Sequence, residues 1–293
     1  MKKGSYHIYA FITILGWSLA YVFTRMLLPY YSAFPLGFMR YFVASLTLLI
    51  IVFVMKIKPP KIKDIPLFIL SGALGFFFYM ITFNKGHETV SAATGSVIIA
   101  TVPLITALFA SFIYKEKLKA FQWIAILIEF SGVIVLTLLS GAFTVNKGML
   151  WVFFAAFGLA SYNLIQRKLT KTYTALTSTA YSIFPGTLLL AIFSHKAIEE
   201  ASQASPISFV YLIIMGVFSS AIAYVSWSKA FTKAEKTSQV SNYMFITPFL
   251  TSIFGVLLAK EIPDKATILG GAIILFGVLI FNFGEKLVKT KTR

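Results

Sequence analysis

Aromatic and amide residues at helical spacing are the chemistry-bearing feature of this 293-residue chain. Trp17, Tyr21 and Arg25 recur every four positions, which places them on one helix face. Gly72, Gly75, Tyr79 and Phe83 form a second stripe, with Asn84 beside it. Ser220, Tyr224, Trp227 and Ser228 repeat the scheme, and Tyr162, Asn163 and Arg167 with Gln239, Asn242 and Tyr243 complete the set. Such groups bind; they do not break bonds. Ring faces hold cations or the flat parts of amphipathic molecules. Amides deep in apolar surroundings need partners from another helix or from a wet cavity. The competing reading is packing, since aromatic stripes fill cores more often than they hold ligands. Tyr79 and Tyr224 lie well inside their segments, as do Asn163 and Asn242, and for these four the two readings balance.

The charged residues are few. Arg40 sits about seven residues inside an apolar segment, a costly position that is often functional. It could hold a substrate carboxylate, or it could snorkel or cap a neighbouring helix; the structural role is favoured. Arg25 and Arg167 stand at segment ends, where snorkelling is expected. Glu129 is the one acid deep in any apolar segment. A buried carboxyl can serve proton coupling, while a protonated, hydrogen-bonded structural role is the favoured alternative. Ala125 and Gly132 share its face, and small residues mark a helix contact. Asp64 and Asp264 lie in loops, and His7, His87 and His195 are far apart. The chain has no HExxH, no GxSxG and no GxxxxGK[ST], so an enzyme is not expected, nor an intrinsic ATPase. Without cysteine there are no disulfides and no thiolate metal sites. No cofactor or metal is expected.

These residues must be positioned by membrane helices. The chain is 58% apolar and 12% charged, with mean hydropathy +0.83, too little polar surface for a soluble protein of this length. Ten segments are near the ~20 residues that cross a bilayer: 6–28, 33–55, 65–86, 90–113, 120–139, 147–166, 175–194, 207–231, 236–259 and 266–285. The fold class expected is therefore an all-α polytopic membrane protein. The formal charge of +16 comes from clusters between these segments. With the N-terminus in the cytoplasm, most of the 26 basic residues fall on the inside, among them Lys56, Lys58, Lys229 and Lys233. Both termini are then cytoplasmic, the location is the cytoplasmic membrane, and nucleic acid is not an expected partner.

The chain repeats itself. TVPLITALFASFIYKEKL from Thr101 aligns without a gap on ITPFLTSIFGVLLAKEIP from Ile246, 145 positions later. Pro103 falls on Pro248, Lys115-Glu116 on Lys260-Glu261, Tyr79 on Tyr224 and Gly132 on Gly277. At an offset of 142, Gly16 meets Gly158 and Arg25 meets Arg167. The halves are 1–142 and 143–293. Five helices per half is odd, so the second copy crosses the membrane in the opposite sense: a 5+5 inverted-topology repeat, a construction common in secondary transporters. Pro103 and Pro248 each remove a backbone donor inside a helix and are candidate paired hinges, with a static kink as the alternative. Glu116 and Glu261 are expected to cap the start of the next helix.

Gly16-Trp17-Ser18, Pro35 with Arg40, Pro103 with Glu116 and Gly132, and Pro248, Glu261 and Gly277 together resemble the drug/metabolite transporter superfamily, ten-helix type with two EamA-like domains. The resemblance spans nearly the whole chain. It implies helices 1–4 and 6–9 around a central cavity, helices 5 and 10 at the periphery, and a small-molecule substrate moved by alternating access. An exported amino acid or related metabolite is the first expectation on that resemblance. A compact organic cation or amphipathic drug is the second, from the aromatic stripes. The expected substrate residues are Trp17, Tyr21, Arg40, Tyr79, Phe83, Asn84, Tyr162, Asn163, Tyr224, Trp227, Asn242 and Tyr243. Pairing of two copies through helices 5 and 10 would give a homodimer.

Overall fold

A computed structural model describes residues 6–114, 119–139, 147–234, 240 and 242–290. Every regular element among them is helical. Six rods are long and apolar enough to cross a membrane: α1 (Tyr6–Leu27), α2 (Ala33–Val54), α3 (Ile62–His87), α7 (Lys147–Leu169), α8 (Ala175–Gln203) and α9 (Pro206–Lys233). Shorter apolar helices accompany them: α4 (Ala92–Ile99), α5 (Val102–Tyr114), α6 (Ala120–Leu139) and α10 (Thr247–Ala259). The last helix, α11, runs Lys265–Thr290.

Helix starts are written locally. The Ser91 hydroxyl accepts from the Thr94 N–H at 3.1 Å and opens α4. Thr174 does the same for Thr177 at 3.1 Å and opens α8. Each satisfies a donor that the first turn leaves free. The expected span 90–113 is in fact two segments, α4 and α5, parted at Ala100 and Thr101. The cause is Pro103, which has no N–H to offer the preceding turn. It therefore lies in the first turn of a fresh helix. Pro248 behaves alike: a 3-10 turn over Asn242–Ile246 ends and α10 begins at Thr247. Neither proline lies inside a continuous helix.

Two π turns also fall at matching offsets, Ala73–Phe78 in α3 and Val217–Ile222 in α9. Each widens the backbone spiral by one residue and turns the following face.

α6 packs along α11, and the two run antiparallel, since Phe121 meets Gly284 while Gly132 meets Ile274. Gly132 and Gly277 let the backbones close. A Cβ on Gly132 would lie 2.6 Å from the Ile274 side chain, and one on Gly277 would lie 2.6 Å from Glu129. The contact is reciprocal, because Glu129 and Ile274 are themselves 145 positions apart. α1 threads the rest of the bundle, packing on α9, α10 and α4. The main core gathers around it: Trp17, Tyr21, Tyr41, Phe76, Tyr79, Tyr162, Tyr224 and Trp227 are all buried.

Candidate functional site

Where α1, α2, α3, α4 and α10 converge, five of the expected residues face one another: Trp17, Tyr21, Arg40, Tyr79 and Phe83. Trp17 is eleven residues into a 22-residue helix, so the chamber lies near mid-span. Tyr21 meets Phe83 edge-on at 5.1 Å, and Tyr79 lies 5.3 Å from Phe83. The space left holds about 10 Å³, on the scale of one water. The structure is a closed form of this chamber.

Arg40 supplies the charge. It is 2% exposed. Its Nε donates to the Ser220 hydroxyl at 2.7 Å, and its Nη2 reaches the Ser219 carbonyl only at 3.5 Å. Nη1 has the Met80 sulfur at 3.9 Å. No carboxylate pairs with it among the described residues. A guanidinium has five donors in a planar fork suited to a carboxylate. Here only the Nε side is well held, and the forked end is left with weak partners. Arg40 thus does not snorkel; it is tethered by the π turn of α9. Two more polar atoms of the lining, Trp17 Nε1 and Thr247 Oγ1, are buried without a partner among the described residues. Buried polar groups are nearly always paired, so unpaired ones around one chamber are what a ligand would complete.

The remaining expected residues lie elsewhere. Trp227 and Tyr224 stand one layer behind, with their rings 4.9 and 5.1 Å from Trp17. Asn163 Oδ1 accepts from Trp227 Nε1 at 3.4 Å, so it supports that layer. Tyr162 packs on Phe76 at 5.0 Å, filling the space beside Gly75. Asn84 donates to the Ala33 carbonyl at 2.8 Å and ties α3 to α2. Tyr243 hydrogen-bonds His7 at the far end of α1. The Asn242 side chain, Gln239 and the Lys115-Glu116 pair lie outside the described residues. Glu129 lines a separate apolar cavity of about 140 Å³ between α5, α6 and α7, with Phe109, Phe130 and Phe157. Among the described residues neither of its carboxyl oxygens has a hydrogen-bond partner, so the hydrogen-bonded structural role finds no partner there.

Above the chamber, at the end where α1 and α3 stop, a polar clasp closes the bundle. Arg25 Nε donates to Glu261 Oε1 at 2.8 Å. Arg25 Nη1 donates to the His87 carbonyl at 2.6 Å, and Ala92 N–H donates to Glu261 Oε2 at 3.0 Å. Glu261 therefore caps α4, not the helix that follows it; Asp264 caps that one, accepting from Thr267 N–H at 2.7 Å. Arg25 joins α1 to α3 and to the chain beyond α10, contrary to the snorkelling expectation. An N-terminal helix turn attracts a carboxylate, and an arginine fork can bridge two acceptors at once. Lys260 reaches this corner in a left-handed conformation, φ 55, which turns the chain sharply enough to bring Glu261 back.

Sequence reasoning missed Ser96, Met244 and Thr247 as chamber residues. Part of the signal was present: Met244 and Thr247 stand within four residues ahead of Pro248, where a 3-10 turn gives way to α10, whereas Ser96 lies inside α4 and carries no such mark.

A helical membrane bundle with a mid-span aromatic chamber, a buried guanidinium without a carboxylate partner among the described residues and a polar clasp over it fits a transporter. Comparison with known proteins agrees. The chain belongs to the EamA-like transporter family, whose model matches twice, over residues 4–138 and 146–283. It is 30% identical over 263 residues to the uncharacterized transporter YdfC of Bacillus subtilis, covering 89% of this chain and 86% of that one. It is 26% identical over 271 residues to a probable terminal-alkyne amino-acid exporter of Streptantibioticus cattleyicolor, covering 92% and 91%. An S-adenosylmethionine uptake transporter of Rickettsia bellii is 27% identical over 261 residues, covering 88% and 87%. One solved crystal structure shares the fold at a TM-score of 0.69 and 17% identity, covering 96% of this chain and 98% of its own.

Proposed function

We propose that the chain is a secondary transporter that exports a small carboxylate-bearing metabolite, an amino acid or a close relative, by alternating access through the central chamber. The observation that carries the substrate class is Arg40: buried, tethered on one side and without an acid partner among the described residues. A substrate carboxylate would occupy its free fork, and Trp17, Tyr21, Tyr79 and Phe83 would enclose an apolar or aromatic body. Two of the named relatives handle amino acids or a derivative of one. The aromatic lining also favours a second reading, a compact organic cation, but Arg40 would repel it.

Ten helices in two inverted sets of five is the topology on which this reading rests. Supporting it are the two family matches, the paired π turns, the prolines opening helices at one offset and the reciprocal Gly132–Ile274 and Gly277–Glu129 contacts. With the N-terminus in the cytoplasm, the Arg25–Glu261 clasp is the outer gate. It links α1 and α4 of one half to the end of α10 in the other, so it must break when the chamber opens outward.

The test is a thermal-shift screen of purified protein against amino acids, quaternary amines, nucleotide sugars and sugar phosphates. A ligand of the folded state raises its stability by mass action. We expect amino acids to stabilise the protein, the shift to vanish in Tyr79→Ala, and flux of the same compounds in proteoliposomes. Stabilisation by quaternary amines alone would discard the carboxylate reading.

A further inference from the structure

A third cavity, which shares no lining residue with the chamber, opens on the side of the bundle. It holds about 490 Å³ and runs between α1, α2, α8 and α9. Its walls are Leu48, Ile51 and Met55 of α2, Leu176 of α8, and Ile222 and Val225 of α9. Along α9 it extends from Ala221 to Lys229, about 12 Å at the helical rise of ~1.5 Å per residue. One end is wholly apolar. The other end is basic. Lys229 lines the mouth, and Lys233, one turn on, places its Nζ 5.6 Å from the ring of Tyr9, another lining residue. Lys56 stands between the lining residues Met55 and Ile57, with Lys58 next. Lys56 is held at φ 51, where the chain turns out of α2. No carboxylate pairs with these four lysines among the described residues.

We infer that this groove is a binding site for one anionic phospholipid, with an acyl chain along α2 and α9 and the phosphate among Lys229, Lys233, Lys56 and Lys58. The length, the apolar wall and the sign of the charge each fit that molecule. A zwitterionic lipid would fill the wall equally well but, carrying no net charge, would gain less from four lysines that have no carboxylate partner among the described residues. The leaflet follows from the proposed orientation, which puts the lysine end in the cytoplasm; the lipid chemistry does not depend on it.

The site has a consequence for transport, which rests on the function proposed above. The π turn Val217–Ile222 carries both Ser220, which holds Arg40, and Ala221 and Ile222, which line the groove. A chain seated in the groove presses on the element that positions the guanidinium. Lipid occupancy and substrate affinity are thereby linked through one six-residue turn.

Native mass spectrometry of the detergent-purified protein tests the site directly. Dioleoylphosphatidylglycerol and dioleoylphosphatidylcholine carry the same tails, so their difference reads the headgroup. We expect one phosphatidylglycerol retained in preference to phosphatidylcholine. In the double variant Lys229→Gln/Lys233→Gln that preference should weaken about thirtyfold, as two lysines near a phosphate require. Val225→Trp, which fills the groove, should lower retention of both lipids. Unchanged retention in the double variant, or full retention in Val225→Trp of a folded protein, would overturn the proposal. So would oleate binding where phosphatidylglycerol does not, since the occupant would then be a free fatty acid. The readout needs no transport, so a failed flux assay leaves this result standing, and the reverse also holds.

Discussion

Arg40 lies two turns inside α2 and Arg25 in the last turn of α1, and their surroundings assign them different work. Arg40 is sealed in with a hydroxyl and a sulfur, whereas Arg25 is 29% exposed and paired to Glu261, 22% exposed. For Arg40 the account predicts that Arg40→Lys leaves the fold intact but weakens binding of the carboxylate substrate about a hundredfold. A lysine places a point charge where a planar fork is needed, and hydrogen bonds to charged groups are worth about 1.5–3 kcal/mol; isothermal titration of variant and parent would measure it. For Arg25 the stability effect should be small, about 1 kcal/mol or less, because the pair is partly in water. The conformational effect should be larger, since the same side chain bridges two halves. Arg25→Gln should raise labelling, from outside, of a cysteine placed at Ser96 in the chamber; equal labelling of variant and parent would remove the clasp from the gating scheme. The chain has no native cysteine, so the assay reads one site.

Among the elements, the pair α6 and α11 gives the sharpest test of packing. Its glycines sit against a side chain and a backbone carbonyl of the partner helix, so Gly277→Leu has nowhere to place its side chain except into Glu129 Cγ and the Ala125 carbonyl. Overpacking of this kind typically costs about 1–3 kcal/mol, and thermal unfolding in detergent should show a lower midpoint, with Gly277→Ala intermediate. An unchanged midpoint for Gly277→Leu would mean that the two helices are not held as described. That the Glu129 face meets another helix was legible in Ala125 and Gly132, because small side chains permit close approach in lipid; that the partner is α11 of the same chain was not, since a peripheral helix can equally pair with a second copy. That Pro103 and Pro248 open new helices was not legible, since a proline in an apolar run is compatible with a kink or a break. The partner of Glu261 was equally hidden. A carboxylate after a helix looks for the nearest free N–H groups, and here the nearest in space, those of α4, lie 169 positions away in sequence. Trp17, Tyr21, Tyr79 and Phe83, singled out by their spacing, do line one chamber, whereas Asn84 and Tyr162 had the same kind of residue type and turned to neighbouring helices instead.

For the whole molecule, the account is of two related halves meeting around a chamber that this form keeps shut. The chamber of about 10 Å³ cannot admit a metabolite, so the proposed route through it requires a second arrangement in which α1, α3, α4 and α10 part. Interfaces with two discrete packings support such a change better than a soft cavity does. The clasp, the π turns and the broken α4–α5 and α10 segments lie where such a rearrangement would act. The most direct test is a Ser96→Cys variant reconstituted in sealed vesicles of each orientation and treated with a membrane-impermeant maleimide. Alternating access predicts labelling from both sides, with amino-acid substrate slowing the reaction from each. Labelling from one side only, with and without substrate, would contradict it.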